Sequence, residues 1–235
     1  MTPSNASDTA VSHRNARAPR SLLYETILVL LITFVPLALV PLVPALSGLA
    51  TLIVLVFPII YLFAEKWARH RPWKDLGIKR HGFYEDFRAN WRLFLLVVIV
   101  LQVIPVALFF ALPGALSHVL GRIPAVNTLT VAIVLIVVLA LREELVFRSL
   151  FQQRLSWFIG NVSAIVFVSL VFALSHLTIG ALLVVAVDLL FVFFDSVVYG
   201  LIFARSHNVL LAWLAHLSAD IVGLALLLAA SFAIT

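Results

Sequence analysis

Leu141–Arg154, LREELVFRSLFQQR, is the stretch around which the rest of the chain is organised. It follows an apolar run, Thr128 to Leu141, whose only polar residues are Thr128 and Thr130. Its carboxylates therefore come directly after a segment suited to hydrocarbon. A carboxylate at bilayer depth costs about 2.5–3.5 kcal/mol on insertion scales, so such groups usually face inward and are functional. The stretch predicts a buried polar site at the end of a membrane helix.

The two neighbouring glutamates of this stretch differ in their surroundings. Glu144 and Arg148 are four residues apart, which places them on one helix face and predicts an ion pair. Glu143 points to another side of the helix and has no local partner. The alternative is that both glutamates lie at the water boundary and merely end a helix, and the stretch by itself leaves both interpretations open.

The composition indicates an integral membrane protein. Of the 235 residues, 63% are hydrophobic and 11% are charged, and the mean hydropathy of +1.15 is far outside the range of soluble domains. The chain has no cysteine, which excludes disulfides and thiolate metal sites. The net charge of +5 is what basic residues flanking apolar spans produce, so we expect no nucleic-acid partner.

Apolar segments of the length that crosses hydrocarbon, about 20 residues, recur along the chain. They predict an all-α bundle of about seven spans, with six or eight as alternatives, near residues 22–46, 47–64, 93–113, 128–142, 161–179, 181–204 and 208–232. Residues 1–21 are polar and small, which is typical of a disordered cytoplasmic tail. The first apolar run is too long for a signal peptide, so we expect it to stay uncleaved.

Basic residues predict the orientation of these spans. With a cytoplasmic N-terminus, most of the 16 Lys and Arg fall on the cytoplasmic side, as the positive-inside rule requires. Seven spans then place the C-terminus outside the cell membrane. The basic cytoplasmic loop 65–92 also carries several aromatic residues, which favours an interfacial helix or an aromatic belt at the headgroups.

Two further patterns place polar side chains on neighbouring helices. Phe172 and His176 (FALSH) are four apart near the end of the fifth span, and His216 and Asp220 (HLSAD) are four apart in the seventh. Each pair shares one helix face. Together with the glutamates they predict a polar cavity inside a membrane bundle, able to bind a proton, an ion or a polar substrate.

Spacing from a turn predicts that two of these patterns meet. The dipeptide Gly160–Asn161 is a turn former, and Glu144 lies 16 residues before Gly160 while His176 lies 16 residues after it. An antiparallel hairpin therefore brings the two to one level. Two more acidic residues at membrane depth, Asp188 and Asp195, lie seven apart on one face of the sixth helix. They fit cavity-lining or hydrogen-bonded structural roles, and we leave them out of the catalytic set.

In these patterns the chain resembles the CPBP family of intramembrane proteases, which contains the type 2 CAAX prenyl endopeptidases and bacteriocin-processing and immunity-associated, Abi-like proteins. That family carries EExxxR, FxxxH and HxxxN or HxxxD on successive helices. Here they read Glu143-Glu144-xxx-Arg148, Phe172-xxx-His176 and His216-xxx-Asp220. The resemblance covers about residues 128–225 and implies a four-helix catalytic core within 126–235, preceded by a transmembrane scaffold over 22–125. The chain departs from the family at Asp220, where asparagine is common. An ionised aspartate, unlike asparagine, cannot donate a hydrogen bond.

The resemblance also implies roles for these residues. Glu143 and His176 would activate a water molecule that attacks a peptide carbonyl. His216 would donate to the oxyanion, with Asp220 orienting it or tuning its charge. The supporting residues, which hold the helix and its charge balance, are Glu144, Arg148 and Phe172.

Zinc is an alternative to a metal-free site. Glutamate and two histidines are ordinary ligands of catalytic zinc, so Glu143, His176 and His216 could instead hold the metal. The resemblance leaves the cofactor open between none and zinc.

The expected function is an endopeptidase at the cytoplasmic membrane face, acting on a peptide or lipidated protein, of prenylated CAAX type or other. A transporter or proton-coupled carrier is one alternative, because intramembrane Asp, Glu and His also serve as relays. It would predict an inverted repeat of the spans, and no convincing internal repeat is found. A binding or immunity protein that does not hydrolyse is the other alternative. Membrane lipid is an expected partner, and the oligomeric state is left open.

Overall fold

The computed structural model describes residues 19–79, 81–112, 114–121 and 129–234, with side chains to residue 229, and all regular structure within them is helical. Most of the predicted N-terminal tail, residues 1–18, lies outside the described residues. The α-helices are α1 (Arg20–Leu39), α2 (Ser47–Ala68), α3 (Phe83–Leu95), α4 (Leu101–Ala111), α5 (Ala115–Leu120), α6 (Leu129–Glu144), α7 (Gln153–Ile159), α8 (Asn161–Ser175), α9 (Leu182–Ser206) and α10 (Val209–Ile234).

Two wider, π-helical stretches make longer continuous helices from these elements. Leu96–Val100 joins α3 to α4, and Leu145–Gln152 joins α6 to α7. In the described residues, five helical segments are long and apolar enough to cross a membrane: Arg20–Leu39, Pro44–Ala68, Phe83–Ala111, Leu182–Ser206 and Val209–Ala229. Helices α6 and α8 are shorter, with 16 and 15 residues. The predicted all-α membrane bundle is confirmed, and about seven spans is roughly consistent with it.

Several predicted boundaries differ from the structure. The first span ends at Leu39 rather than at residue 46, because Pro41 and Pro44 lack the backbone N–H groups that a continuing helix needs. The loop predicted over 65–92 is shorter, since α2 continues to Ala68 and α3 already begins at Phe83. The first helix begins at Arg20, two residues earlier than predicted.

The π-helical stretch Leu145–Gln152 lies at the centre of the bundle, and every one of its side chains is buried. Phe147 packs edge-on against Phe172 of α8, with ring centroids 4.9 Å apart. It also contacts Phe34 of α1 at 5.7 Å. π-helical turns are frequent at functional sites. The turn directly after Glu144 therefore indicates a functional site in this region.

A buried carboxylate joins the N-terminal part of the chain to the core. Glu65 of α2 is 6% exposed. Its carboxylate lies 2.9 Å from Nη1 of Arg69, 3.0 Å from Nη1 of Arg71 and 2.8 Å from Nη2 of Arg154 in α7. Arg154 lies in α7, and Arg69 and Arg71 directly follow α2. The cluster therefore connects α2 to α7 by charge.

A second connection, between α2 and α6, forms at a proline. Pro58 lies inside α2 and has no N–H, so the carbonyl of Val54 loses its helical donor. Arg142 of α6 supplies donors instead: Nη2 donates to the Val54 carbonyl and Nε donates to the Leu55 carbonyl at 3.3 Å. Helix α6 is thereby fastened to α2 directly before Glu143.

Candidate active site

The ion pair predicted from the four-residue spacing is present at the end of α6. Glu144 and Arg148 are both fully buried, with Arg148 Nε 3.0 Å from Glu144 Oε2. Arg148 also donates through Nη2 to the Ser196 hydroxyl of α9 at 2.9 Å. A buried charge of this kind is tolerated only when it is paired and hydrogen-bonded, and both conditions are met here.

Helix α9 lies unusually close to this pair because it carries a glycine there. Gln152 donates through Nε2 to the Gly200 carbonyl at 2.9 Å and accepts from Arg148 Nη1 at 3.3 Å. A Cβ on Gly200 would lie 2.9 Å from Gln152 Oε1 and 3.4 Å from Arg148 Nη1. The absence of a side chain at residue 200 thus lets the polar groups of two helices meet.

His216 of α10 lies between three carboxylates. Its Nδ1 is 2.9 Å from Glu144 Oε1, and because an ionised carboxylate only accepts, we assign the hydrogen to Nδ1. Its Nε2 lies 3.8 Å from Glu143 Oε2 and 3.5 Å from Asp220 Oδ2. Carboxylates on both sides of the ring favour positive charge on it.

The structure gives Glu144 a contact that the sequence analysis did not assign to it. Glu144 bonds Nδ1 of His216, whereas Asp220, which was expected to orient this ring, faces Nε2. Tyr199 was also missed: its ring stacks on His216 at 4.6 Å with an interplanar angle of 18°. Its position four residues after Asp195 places it on the polar face of α9, which was the available signal.

His176 directly follows the last residue of α8. Its Nδ1 lies 2.8 Å from the Phe172 carbonyl, and since a carbonyl only accepts, Nδ1 carries the hydrogen and Nε2 is left as an acceptor. The ring also packs on Phe172, with centroids 4.6 Å apart. The backbone carbonyl of Phe172 therefore fixes the tautomer of His176, and the Phe172 ring helps to fix its orientation.

Two cavities meet at this histidine. The larger has a volume of about 370 Å³ and is lined by His176 and Asp220 together with apolar residues of α4, α9 and α10. The smaller has a volume of about 200 Å³ and is lined by Glu143 and His176 together with residues of α1 and α2. The structure thus brings the glutamate and the histidine of two separate patterns to one cavity.

Asp188 and Asp195 both line the larger cavity. Gln102 of α4 donates to Asp195 Oδ2 at 3.3 Å, and His118 Nε2 lies 3.7 Å from Asp188 Oδ2. The two interpretations left open for these residues, lining and structural hydrogen bonding, are therefore both seen for Asp195.

The zinc alternative requires that the side chains of the site can hold a metal ion together. In the part of the chain that the structure describes, no group of three or more His, Asp or Glu side chains is arranged to hold a metal ion. The zinc set Glu143, His176 and His216 therefore has no support from these residues. Nδ1 of His216 is hydrogen-bonded to Glu144 and Nδ1 of His176 to the Phe172 carbonyl, so Nε2 is the nitrogen of each ring that remains open to a ligand.

Residues 125–222 match the family model of the Type II CAAX prenyl endopeptidase Rce1-like proteins. The matched segment, fewer than half of the residues, contains all three patterns of the site, and the resemblance is confirmed over it. The fold is a multi-pass helical membrane bundle, and over residues 125–222 the chain is similar to type II CAAX prenyl endopeptidases. No curated protein and no solved structure matches the chain.

Proposed function

We propose that the chain is an intramembrane endopeptidase that hydrolyses a peptide bond near the cytoplasmic membrane face. Its substrates are prenylated CAAX-type or other membrane-associated peptides. The observation that carries the proposal is the shared cavity of Glu143 and His176, with His216 Nε2 3.8 Å from the Glu143 carboxylate. A carboxylate, an acceptor nitrogen and a donor nitrogen are thereby grouped as hydrolysis requires.

Glu143 acts as the general base in this proposal. Its carboxylate takes one proton from a water molecule, and Nε2 of His176 orients the water by accepting a hydrogen bond from its other O–H, which keeps its hydrogen. The water oxygen forms a bond to the peptide carbonyl carbon, and the carbonyl π electrons move to the oxygen. The result is a tetrahedral oxyanion beside the two histidines.

His216 stabilises the charge that develops on that oxygen. Its Nε2–H is the donor, and Glu144 holds the ring in place through Nδ1 at 2.9 Å. When the C–N bond breaks, Glu143 returns its proton to the leaving nitrogen, which yields two peptides and an unchanged site. Asp220, 3.5 Å from Nε2, supports the positive ring by charge.

The chain is oriented in this proposal with the N-terminus in the cytoplasm and the C-terminus outside. The distribution of basic residues over the loops supports this orientation. Peptides or lipidated proteins reach the site from the membrane, and the N-terminal spans serve as the scaffold of the core.

Cleavage assays with site variants test the proposal. We expect the purified protein to cleave a farnesylated CAAX peptide, or its unprenylated counterpart. Glu143→Gln and His176→Ala should each lower kcat about 10²–10⁴-fold, the usual contribution of an acid–base group. The products are measured by mass spectrometry and the rates by a fluorogenic version of the peptide.

Matched controls are exposed residues of the same type. Glu85 lies in α3 and His81 lies just before it, and both are exposed. Glu85→Gln and His81→Ala should therefore leave kcat unchanged. Cleavage that survives at the parent rate in both site variants would reject Glu143 and His176 as the catalytic pair.

A further inference from the structure

The two cavities at the site differ in charge. The larger is lined by the carboxylates of Asp188, Asp195 and Asp220, and its described lining contains no Lys or Arg. The smaller is lined by the guanidinium of Arg142, beside Glu143. An anionic group is therefore disfavoured in the larger cavity, whereas the smaller one offers it a cation in Arg142.

Arg142 has donor capacity beyond its role in the fold. A guanidinium has five N–H groups in a planar fork, and the described contacts, to the carbonyls of Val54 and Leu55, use two of them. Arg142 and the carboxylate of Glu143 face the same cavity. Its other N–H groups are thus placed where they can meet a group bound next to the attacking water.

The chemistry of guanidinium identifies the class of ligand. Arginine binds carboxylates in a two-point arrangement that a lysine does not reproduce. The carboxylate that every linear peptide carries is the one at its C-terminus. A cation adjacent to the general base therefore fits the end of a peptide that is cut a short distance from its C-terminus.

We infer that Arg142 binds the C-terminal carboxylate of the substrate, so that the released C-terminal segment lies in the smaller cavity and the rest of the substrate extends along the larger one. This inference rests on the proposed endopeptidase function and adds to it the direction of binding and a residue that determines specificity. The competing explanation is that Arg142 only replaces the backbone donor missing at Pro58.

Two probes separate binding of a carboxylate from everything else. They are one farnesylated CAAX peptide with a free C-terminal carboxylate and the same peptide with a C-terminal carboxamide. We expect the parent protein to prefer the acid by about 10- to 100-fold in kcat/KM, the usual effect of a hydrogen bond to a charged group, and mainly through KM. Arg142→Gln should remove this preference by weakening the acid while leaving the amide unchanged.

Two control variants address the competing explanation. Pro58→Ala supplies a backbone N–H to the Val54 carbonyl, so the fold no longer needs Arg142 there. The double variant Pro58→Ala, Arg142→Gln should still lack the preference, and recovery of the preference in it would overturn the inference. Arg88→Gln, at an exposed residue of α3, should keep the full preference.

The possible outcomes keep the two proposals apart. Equal kcat/KM for acid and amide in the parent would overturn the role of Arg142 and leave the endopeptidase intact. If the parent cleaves neither probe, the proposed function fails, and binding of the same two probes, measured by fluorescence anisotropy, decides the inference. Tighter binding of the acid that Arg142→Gln abolishes would support it, and equal binding of both probes would overturn it.

Discussion

At the scale of single residues, the contact between Glu144 and His216 connects the buried charge to the site. One carboxylate oxygen of Glu144 bonds Arg148 at 3.0 Å and the other bonds His216 at 2.9 Å. A carboxylate that orients a histidine through one nitrogen leaves the other nitrogen aimed at the substrate. Glu144 is thus a positioning residue in the proposed mechanism rather than a purely structural one.

Replacing Glu144 by glutamine tests this role. The amide oxygen can still accept from Nδ1–H, but the negative charge shared by Arg148 and His216 is lost. We expect kcat to fall by up to about 10⁴-fold, as when the aspartate that orients a catalytic histidine is replaced by its amide, with KM little changed. Steady-state kinetics measure this split, and Glu85→Gln is the matched control. A change in KM alone would contradict a positioning role.

The residue patterns predicted much of the site but not its internal contacts. Three i,i+4 pairs placed His176, His216 and Asp220 on their helix faces, because both members of a pair lie on one element. Glu143 was placed by its position next to Glu144. The bond between Glu144 and His216 joins residues 72 positions apart. It depends on how α6 packs on α10, which a helical period does not encode. Arg142 was missed for the same reason, since its partners lie in α2.

At the scale of helices, the glycine in α9 sets the distance to the π-helical stretch. Gly200→Ala would place a Cβ 2.9 Å from Gln152 Oε1 and 3.1 Å from Ile165 Cγ2, so side chains must shift. We expect a loss of about 1–3 kcal/mol in stability, typical of overpacking, and a lower kcat because Gln152 holds Arg148. Thermal unfolding in detergent and the cleavage assay measure the two effects.

A second glycine serves as the control for that substitution. A Cβ on Gly48 of α2 would meet nothing within 4 Å. Gly48→Ala should therefore be neutral or slightly stabilising, because alanine favours the helix more than glycine does. If both variants unfold at the parent temperature, the close approach at Gly200 is not a constraint.

The helix boundaries were largely predictable, and the wider helical turn was not. Proline and glycine at the helix ends, such as Gly160 with its φ of +78°, mark the turns in the sequence. A π-helical turn contains only about one residue more than an α-helical turn, so it changes the spacing of apolar residues very little. The apolar pattern of Leu145–Gln152 is compatible with either kind of helix, so packing had to decide.

At the scale of the whole molecule, the buried pair Glu65 and Arg154, together with Arg71 and the exposed Arg69, holds α2 and α7 together. We expect Glu65→Gln to lower the free energy of unfolding by about 3–5 kcal/mol, because it leaves the buried guanidinium of Arg154 without its carboxylate. The apparent melting temperature in detergent should fall clearly below that of the parent and of Glu85→Gln. An unchanged melting temperature would mean that this cluster does not stabilise the contact between α2 and α7.

The hairpin between the glutamates and His176 contains a single non-helical residue, Gly160, since α7 ends at Ile159 and α8 begins at Asn161. The helices on either side of Gly160 therefore fix the distance between the two halves of the site, because no loop lies between them. One residue inserted or deleted in either arm would slide a catalytic group by about 1.5 Å and turn it by about 100°. We therefore expect insertions and deletions to be tolerated only in segments outside that hairpin, where a loop can absorb the change in length.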